Sequence, residues 1–276
     1  MQLQRPSYNK FAHFQEAISS NRLEAYRSAS SDNEYHLLAN YLWNISLCES
    51  LYPALHAFEI ALRNSMNEAI SRLFYKDWLH KKYSKILDNK ESKIIEDAFR
   101  RLEKEKKIAS TSNLISTLTL GFWVSLSYSR YEDANKLYPK LFRDSDFLPH
   151  LPKSKRTRKI ICKSFTSIRK LRNKIFHHDP IWKDRNLQAE YDNILEAIQW
   201  MSPVLYETTK ELSRFPDIYI EERIKYQEIL KKTILNESET MSLKKFDDFI
   251  TNRQGQIKTI KIRGKKIQYE NCRLID

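Results

Sequence analysis

"LYPALHAFEIALRNSMNEAISRLF", residues 51–74, is the stretch that decides the fold. Its large apolar residues recur every three or four positions, which is the period of an α-helix with one face against a core. Glu59 lies at the edge of this apolar stripe, and Arg63 follows one turn later. The stretch therefore predicts a core helix that carries charged side chains beside its apolar face. The stripe consists of Leu51, Leu55, Phe58, Leu62, Met66, Ala69 and Leu73.

The whole chain has the composition of a helical protein. Only 3 of its 276 residues are glycine and 8 are proline, whereas sheet-and-turn folds need glycine where φ is positive. We expect an all-α fold, with Pro53 in the first turn of its helix and Ser112 as an N-cap. Helical periodicity predicts helices at 8–28, 33–48, 50–75, 90–109, 112–129, 131–141, 153–178, 186–209, 217–233 and 241–253.

Three segments are expected along the chain. Residues 1–32 form an N-terminal helical extension, 33–212 the main helical domain, and 213–276 a basic C-terminal appendage. The tail "IKTIKIRGKKIQY" alternates apolar and basic residues around Gly264, which predicts a small β-hairpin.

Cysteine usage and hydropathy indicate the compartment in which the protein works. Cys48, Cys162 and Cys272 are widely spaced and odd in number, so we expect reduced thiols and no disulfide framework or zinc site. Neither a signal-peptide core nor a run of about 18 apolar residues is present in the sequence. The sequence therefore predicts a soluble, cytoplasmic protein without a metal, a cofactor or a membrane partner.

Positive charge is concentrated in one region. The formal net charge is +13, and a surface this basic attracts polyanions and releases their counterions on contact. Residues 153–174 carry ten basic side chains and no acidic one. We interpret this density as a nucleic-acid-binding surface; the alternative is a basic protein whose cations are merely solvated. The candidate binding residues are Lys153, Lys155, Arg156, Arg158, Lys159, Lys163, Arg169 and Lys170.

The helix in this region ends in a second informative stretch, "LRNKIFHHDPIW", residues 171–182. At about 100° per residue, Arg172 falls inside the apolar stripe of Ile161, Phe165, Ile168, Leu171 and Ile175. A guanidinium there needs an anionic partner. One reading is an ion pair that fixes helix register, either of Glu59 with Arg172 or of Glu59 with Arg63. The other is that Glu59 orients Arg172 while the remaining donors face a phosphate, and both can hold together. Arg169, Asn173 and His177 follow at i,i+4 steps along the edge of the stripe.

These stretches resemble the Abi-like (abortive infection, AbiD/AbiF type) family of the HEPN superfamily. The similar elements are "YLWNISLCESLYPALHAFEIALRN" (41–64), "LTLGFWVSLSYSRYE" (118–132) and "IRKLRNKIFHHDPIW" (168–182), in the family's order, within about 33–205. The resemblance implies a HEPN helical bundle, metal-independent RNA cleavage, a homodimer that joins two motifs, and a role in phage defence. Some relatives act with a small structured non-coding RNA. Arg172, Asn173, His177 and His178 match the family's motif, with Glu59, Arg63 and Asn64 as supporting residues.

The residue types suit RNA cleavage, because RNA supplies its own nucleophile, the 2′-OH. Imidazole can accept or donate a proton near neutral pH, and arginine can hold two phosphate oxygens. We expect His177 to be the acid/base, Arg172 the phosphate clamp and Asn173 a positioning residue, with His178 in support. The alternative is a non-cleaving protein that forms a ribonucleoprotein with a structured RNA. Four aromatic residues at helical spacing are expected in the core: Trp43, Tyr52, Phe122 and Trp123.

Overall fold

The computed structural model describes residues 10–28, 34–80, 86–133, 137–141, 147–221, 224–233, 258–262 and 265–269. Apart from one two-stranded hairpin these residues form helices and their connections, which confirms the all-α prediction. Within the described ranges, no helix is long and apolar enough to cross a membrane. The helices are α1 (Lys10–Ile18), α2 (Ser20–Glu24), α3 (Glu34–Leu73), α4 (Asn89–Lys104), α5 (Thr111–Thr117), α6 (Leu120–Ser125), α7 (Leu137–Leu141), α8 (Arg158–Phe176), α9 (Leu187–Met201), α10 (Pro203–Leu212), α11 (Phe215–Glu221) and α12 (Ile224–Thr233). Single 3-10 turns occupy Ser129–Tyr131 and Lys153–Lys155.

The central element is α3, a continuous helix of 40 residues. The prediction of two helices, with Pro53 in the first turn of the second, was wrong, since Pro53 lies inside α3. An interior proline costs about 3 kcal/mol. Fully burying a Leu or Phe side chain contributes about 1.5–3 kcal/mol, and the apolar stripe is buried on both sides of the proline, from Leu47 to Met66. Packing therefore keeps the helix continuous through the exposed Pro53.

Helix α3 packs against α8 and α9 in the core. The rings of Phe58 and Phe165 meet edge to face at 5.5 Å, and Trp200 of α9 lies 6.3 Å from Phe165. Nearer the start of α3, Tyr52 lies 6.3 Å from Phe176 at the end of α8. These pairs show that α3 and α8 run antiparallel. The C-terminal end of α8 therefore lies beside the first half of α3.

Several predicted helices are divided by local capping. The predicted helix at 186–209 ends at Met201 because Ser202 is extended and its side chain caps α10, with Pro203 at the first helical position. In the predicted helix at 112–129, the N-cap is Ser110 rather than Ser112. The helical period continued across these breaks, so periodicity alone did not locate them.

A buried carboxylate joins α4 to the segment after α6. Glu91 is fully buried, and its oxygens accept hydrogen bonds from Ser125 Oγ at 2.9 Å and from Tyr131 O–H at 2.8 Å. Arg130 also donates to Glu91 and lies 3.3 Å from Asp88. Every charge in this cluster faces a partner, as a buried carboxylate requires. We call these five residues the Glu91 cluster.

The chain forms two compact units. The larger is Phe14–Gln227, in which α2 and α11 also pack on α3. The smaller comprises Met1–His13 and Glu228–Asp276. In it, β1 (Lys258–Ile262) and β2 (Lys265–Tyr269) form an antiparallel hairpin in the predicted segment. Gly264 and the predicted helix at 241–253 lie outside the described residues.

Candidate functional site

Helix α8 carries the central candidate residues. Thr157 caps its first turn by accepting a hydrogen bond from Ile160 N–H at 3.4 Å. All five residues of the predicted apolar stripe are buried: Ile161, Phe165, Ile168, Leu171 and Ile175. The stripe fixes the rotation of the helix, so the polar residues of its last turn are directed away from the core centre.

The two histidines form the turn that ends α8. His177 is the C-cap, and His178 has a positive φ of 59°. The N–H of His178 bonds to the carbonyl of Ile175 at 3.1 Å, and the N–H of Asp179 bonds to the carbonyl of Lys174 at 2.8 Å. This is the Schellman motif, in which glycine usually holds the left-handed position. Here a histidine holds it, and strained backbone of this kind concentrates at functional sites. We call residues 177–179 the histidine turn.

Two residues that the sequence analysis missed hold this turn in place. Arg22 of α2 donates from Nη2 to the carbonyls of His177 and His178, at 3.2 and 3.1 Å. Asn44 of α3 is buried, and its Oδ1 accepts from the backbone N–H of Ile181 at 2.7 Å and of Trp182 at 3.2 Å. Both contacts join segments more than 130 positions apart. No local pattern in the sequence carries a signal for them.

Arg172 and Glu59 form the ion pair that the sequence suggested, but at a distance longer than a hydrogen bond. Arg172 Nε lies 3.8 Å from Glu59 Oε2, and their side chains are 29% and 25% exposed. The Arg172 guanidinium lies 4.1 Å from the ring centroid of Phe176, a cation–π contact. Its Nη1 approaches Asn173 Oδ1 at 3.5 Å, the limit of a hydrogen bond. The guanidinium is thus held in position while most of its donors stay unsaturated.

Two more arginines near α3 and α8 also have unsatisfied guanidinium donors. Within the described residues, the buried Nε atoms of Arg63, Arg169 and Arg172 have no hydrogen-bond partner. Arg130 Nε also has none, but it lies 3.3 Å from the Asp88 carboxylate. Gly121 of α6 lies close to one of them, since a Cβ atom there would be 3.7 Å from Arg169 Nη1. Unsatisfied guanidiniums favour an anionic ligand. Asn64, the neighbour of Arg63, is exposed.

The histidine turn and Arg172 are not joined within one chain. In the part of the chain that the structure describes, no hydrogen bond or ion pair links Arg172 to His177 or His178. Both histidines are exposed, while Asn173 is half-buried. The candidate catalytic residues therefore lie on one helix end without forming a closed constellation in a single subunit.

Seven of the eight predicted RNA-binding cations fall into two groups, and the eighth is Arg169, described above. Lys155 pairs with Glu196, Arg158 lies 2.7 Å from Glu132, and Arg156 donates to the backbone carbonyl of residue 151. The other group is exposed on the described surface and consists of Lys153, Lys159, Lys163 and Lys170. Along α8 itself, Lys159, Lys163 and Lys170 fall within about 40° of one another. These three form an ammonium row on one side of the helix.

An exposed apolar patch lies beside the histidine turn. Tyr52 is 51% exposed, Phe176 46% and Ile45 47%. The prediction that Tyr52 is a core aromatic was therefore wrong, because its position on α3 lies just outside the buried stripe; Phe122 and Trp123 are buried as predicted. We call Tyr52 and Phe176, whose rings lie 6.3 Å apart, the apolar patch.

Among the described residues, no group of three or more His, Cys, Asp or Glu side chains is placed to hold a metal ion. No match to this chain was found among protein-family models, curated proteins or solved structures.

Proposed function

We propose that this protein is a metal-independent endoribonuclease of the HEPN type, acting in abortive infection against phage. The observation that carries the proposal is the histidine turn: two exposed imidazoles on a strained, doubly anchored turn, about one and a half helical turns from an unsaturated arginine. Rigid presentation of acid/base groups to solvent suits a site that acts on a large polyanion. The resemblance of residues 168–182 to the Abi-like motif supports the same reading.

The proposed reaction uses only side chains and the RNA. One imidazole, from His177, takes the proton of the 2′-OH as that oxygen attacks the adjacent phosphorus, and a second imidazole protonates the leaving 5′ oxygen. Arg172 stabilises the charge that develops on the phosphorane oxygens. The products carry a 2′,3′-cyclic phosphate and a 5′-OH. Asn173 positions Arg172, and Glu59 keeps its guanidinium beside the turn.

The second imidazole comes from a second subunit in this proposal. The apolar patch supports dimer formation, because it lies next to the histidine turn and exposed patches of this kind commonly mark interfaces. A two-fold axis near Tyr52 and Phe176 brings both histidine turns into one groove. The site is incomplete without the partner, in keeping with the missing contact between Arg172 and the histidines of one chain.

The ammonium row supplies the contact to RNA outside the cleavage site. Lys159, Lys163 and Lys170 extend over about 16 Å of helix, at 1.5 Å per residue, which is enough to follow several phosphates. Such contacts make binding depend strongly on salt. They are independent of the acid/base chemistry, so a cleavage-deficient variant should still bind.

Cleavage of labelled single-stranded RNA by the purified full chain, with and without EDTA, tests the proposal. We expect cyclic-phosphate ends, no effect of EDTA, and at least a hundredfold loss of rate in His177→Ala, with RNA binding retained. His80→Ala is the matched control, since His80 is another exposed histidine. Cleavage that survives His177→Ala, or that requires magnesium, would overturn the proposal.

A second candidate is a non-cleaving RNA-binding protein that forms a ribonucleoprotein with a small structured RNA. The separation of Arg172 from the histidines in one subunit favours it, because binding needs no closed constellation. In that case the wild type and His177→Ala bind equally and neither cleaves, with or without RNA that co-purifies from the native host. Any cleavage by the wild type that His177→Ala abolishes excludes this candidate.

A further inference from the structure

A cleft opens on the side of the histidine turn that faces α1, α2 and α3. Its volume is about 410 Å³, within the range of small-molecule sites. Ile175 and His178 form one wall, and Tyr26, Tyr41 and Ile45 form much of the other. None of the roles proposed above for His177, Arg172 or the ammonium row uses this space.

The aromatic side of the cleft is rigid. Tyr41 meets Tyr26 edge to face at 5.2 Å and Phe14 at 5.9 Å. Tyr26 is buried and also receives a hydrogen bond from Asn44 Nδ2 at 3.3 Å. Tyr41 is half-buried, so part of its ring remains available for contact. A fixed aromatic wall of this kind is what an unstacked base binds to.

The charge of the cleft favours an anionic ligand. Of the described residues that line it, none is acidic, and Arg22 is cationic. Arg22 uses a single nitrogen for both of its backbone contacts, which leaves other guanidinium donors free for a phosphate. Burial raises the pKa of Cys48 to about 11 and that of Tyr26 to about 12, so neither wall residue is negative at neutral pH.

We propose that this cleft binds one unpaired nucleotide of the RNA, with its base against Tyr41 and Ile45 and its phosphate at Arg22 and His178. The inference rests on the proposed function for its ligand class, single-stranded RNA. The position of His178 links the two sites. Its left-handed backbone places its side chain on the cleft, while the adjacent His177 is left for the neighbouring phosphodiester.

The occupant would be a nucleotide flanking the cut. The cleft is too small for a duplex and is reached only by a base that has left its stack. Asn44 cannot read that base, because Oδ1 already accepts two backbone N–H groups and the two N–H donors of Nδ2 go to Tyr26 Oη and Cys48 Sγ. The cleft therefore discriminates strongly between unpaired and paired RNA, and only weakly between one base and another.

Filling the cleft tests the inference. Ala17 is exposed on α1 and lines the cleft, so Ala17→Trp should block it without disturbing the core. Ala189→Trp, at an exposed position of α9, is the matched control. The probe is a 2′-fluoro single-stranded RNA, which cannot be cleaved, measured by fluorescence anisotropy. We expect Ala17→Trp to weaken binding about tenfold, and Ala189→Trp to leave it unchanged.

Abasic substitution identifies the base contact. In the wild type, one abasic position in a short oligonucleotide should cost about tenfold in affinity, and in Ala17→Trp the same position should cost nothing. Wild-type affinity in Ala17→Trp would overturn the inference. So would a free mononucleotide that competes as well as the oligonucleotide, since the cleft would then be a small-molecule site. The readout is binding of uncleavable RNA, so its failure leaves the cleavage test of His177→Ala intact.

Discussion

Two arginine–carboxylate pairs in this protein differ in how completely they are satisfied. In the Glu91 cluster, a fully buried carboxylate meets an arginine, a tyrosine and a serine, and its hydrogen-bonding capacity is used. Glu59 and Arg172 are partly exposed and 3.8 Å apart, and no hydrogen bond joins them. Both carboxylates lie on amphipathic helices. We call the first a closed pair, which holds secondary-structure elements together. The second is an open pair, which keeps a cation in position and available to an anionic ligand.

Removing Glu91 should have the largest effect on stability. Glu91→Ala leaves Arg130 without its main partner and empties a buried position, so the free energy of unfolding should fall by about 3–5 kcal/mol. Denaturant titration followed by circular dichroism measures the change. Glu96→Ala, at an exposed site of the same helix, should change stability by less than about 0.5 kcal/mol. Equal effects of the two variants would mean that the cluster is not closed.

Removing Arg172 from the open pair should have a small effect on stability and a large effect on RNA cleavage. Arg172→Ala should lower the free energy of unfolding by only about 1 kcal/mol, because the pair is partly exposed and screened. RNA cleavage should fall by about a hundredfold or more through loss of the phosphate clamp. Arg100→Ala, an exposed arginine on α4, controls for loss of charge. A loss of stability as large as that of Glu91→Ala would make Arg172 a structural residue.

Alkaline pH should loosen the closed cluster and not the open pair. Burial raises the pKa of Tyr131, so the folded protein holds this proton more tightly than the unfolded chain, whose tyrosine pKa is about 10. The contribution to stability is complete below that pH and is lost as the pH rises above it. Tyr131→Phe should cost about 1–3 kcal/mol at neutral pH and give a flatter decline above pH 10. Tyr26 keeps part of the slope, because its pKa is also raised, to about 12. An unchanged slope in Tyr131→Phe would contradict this account.

Glu59→Gln should have the smallest effect of these variants. It should also separate a role of Glu59 in orienting Arg172 from a role in RNA binding. Stability should change by less than about 1 kcal/mol. If Glu59 orients Arg172, the cleavage rate falls several-fold while the affinity for uncleavable RNA is unchanged or slightly higher, since a negative charge has been removed. Glu68→Gln, exposed on the same helix, tests the effect of charge alone. Parallel losses of rate and affinity would place Glu59 in RNA binding instead.

The sequence predicted the local parts of this structure and missed the long-range ones. Helical stripes depend on residues three or four apart, so the buried face of α8 was predictable. Pro53 and Ser202 show what helical periodicity cannot predict. The apolar period continues through both residues, but α3 continues through Pro53 whereas Ser202 ends one helix and caps the next. The approach of Glu59 to Arg172 could be anticipated because both interrupt apolar stripes. Arg22 and Asn44 could not, since each acts through backbone groups far along the chain.

The contact from Arg22 has a practical consequence for work with shortened chains. A fragment that begins at residue 33 would contain every motif residue but would lack the guanidinium that bonds the carbonyls of His177 and His178. It would also lose the buried side chains of Leu23 and Tyr26, and its imidazoles would gain freedom. Inactivity of such a fragment would report a lost anchor, so it could not be used to argue that the motif itself is inert.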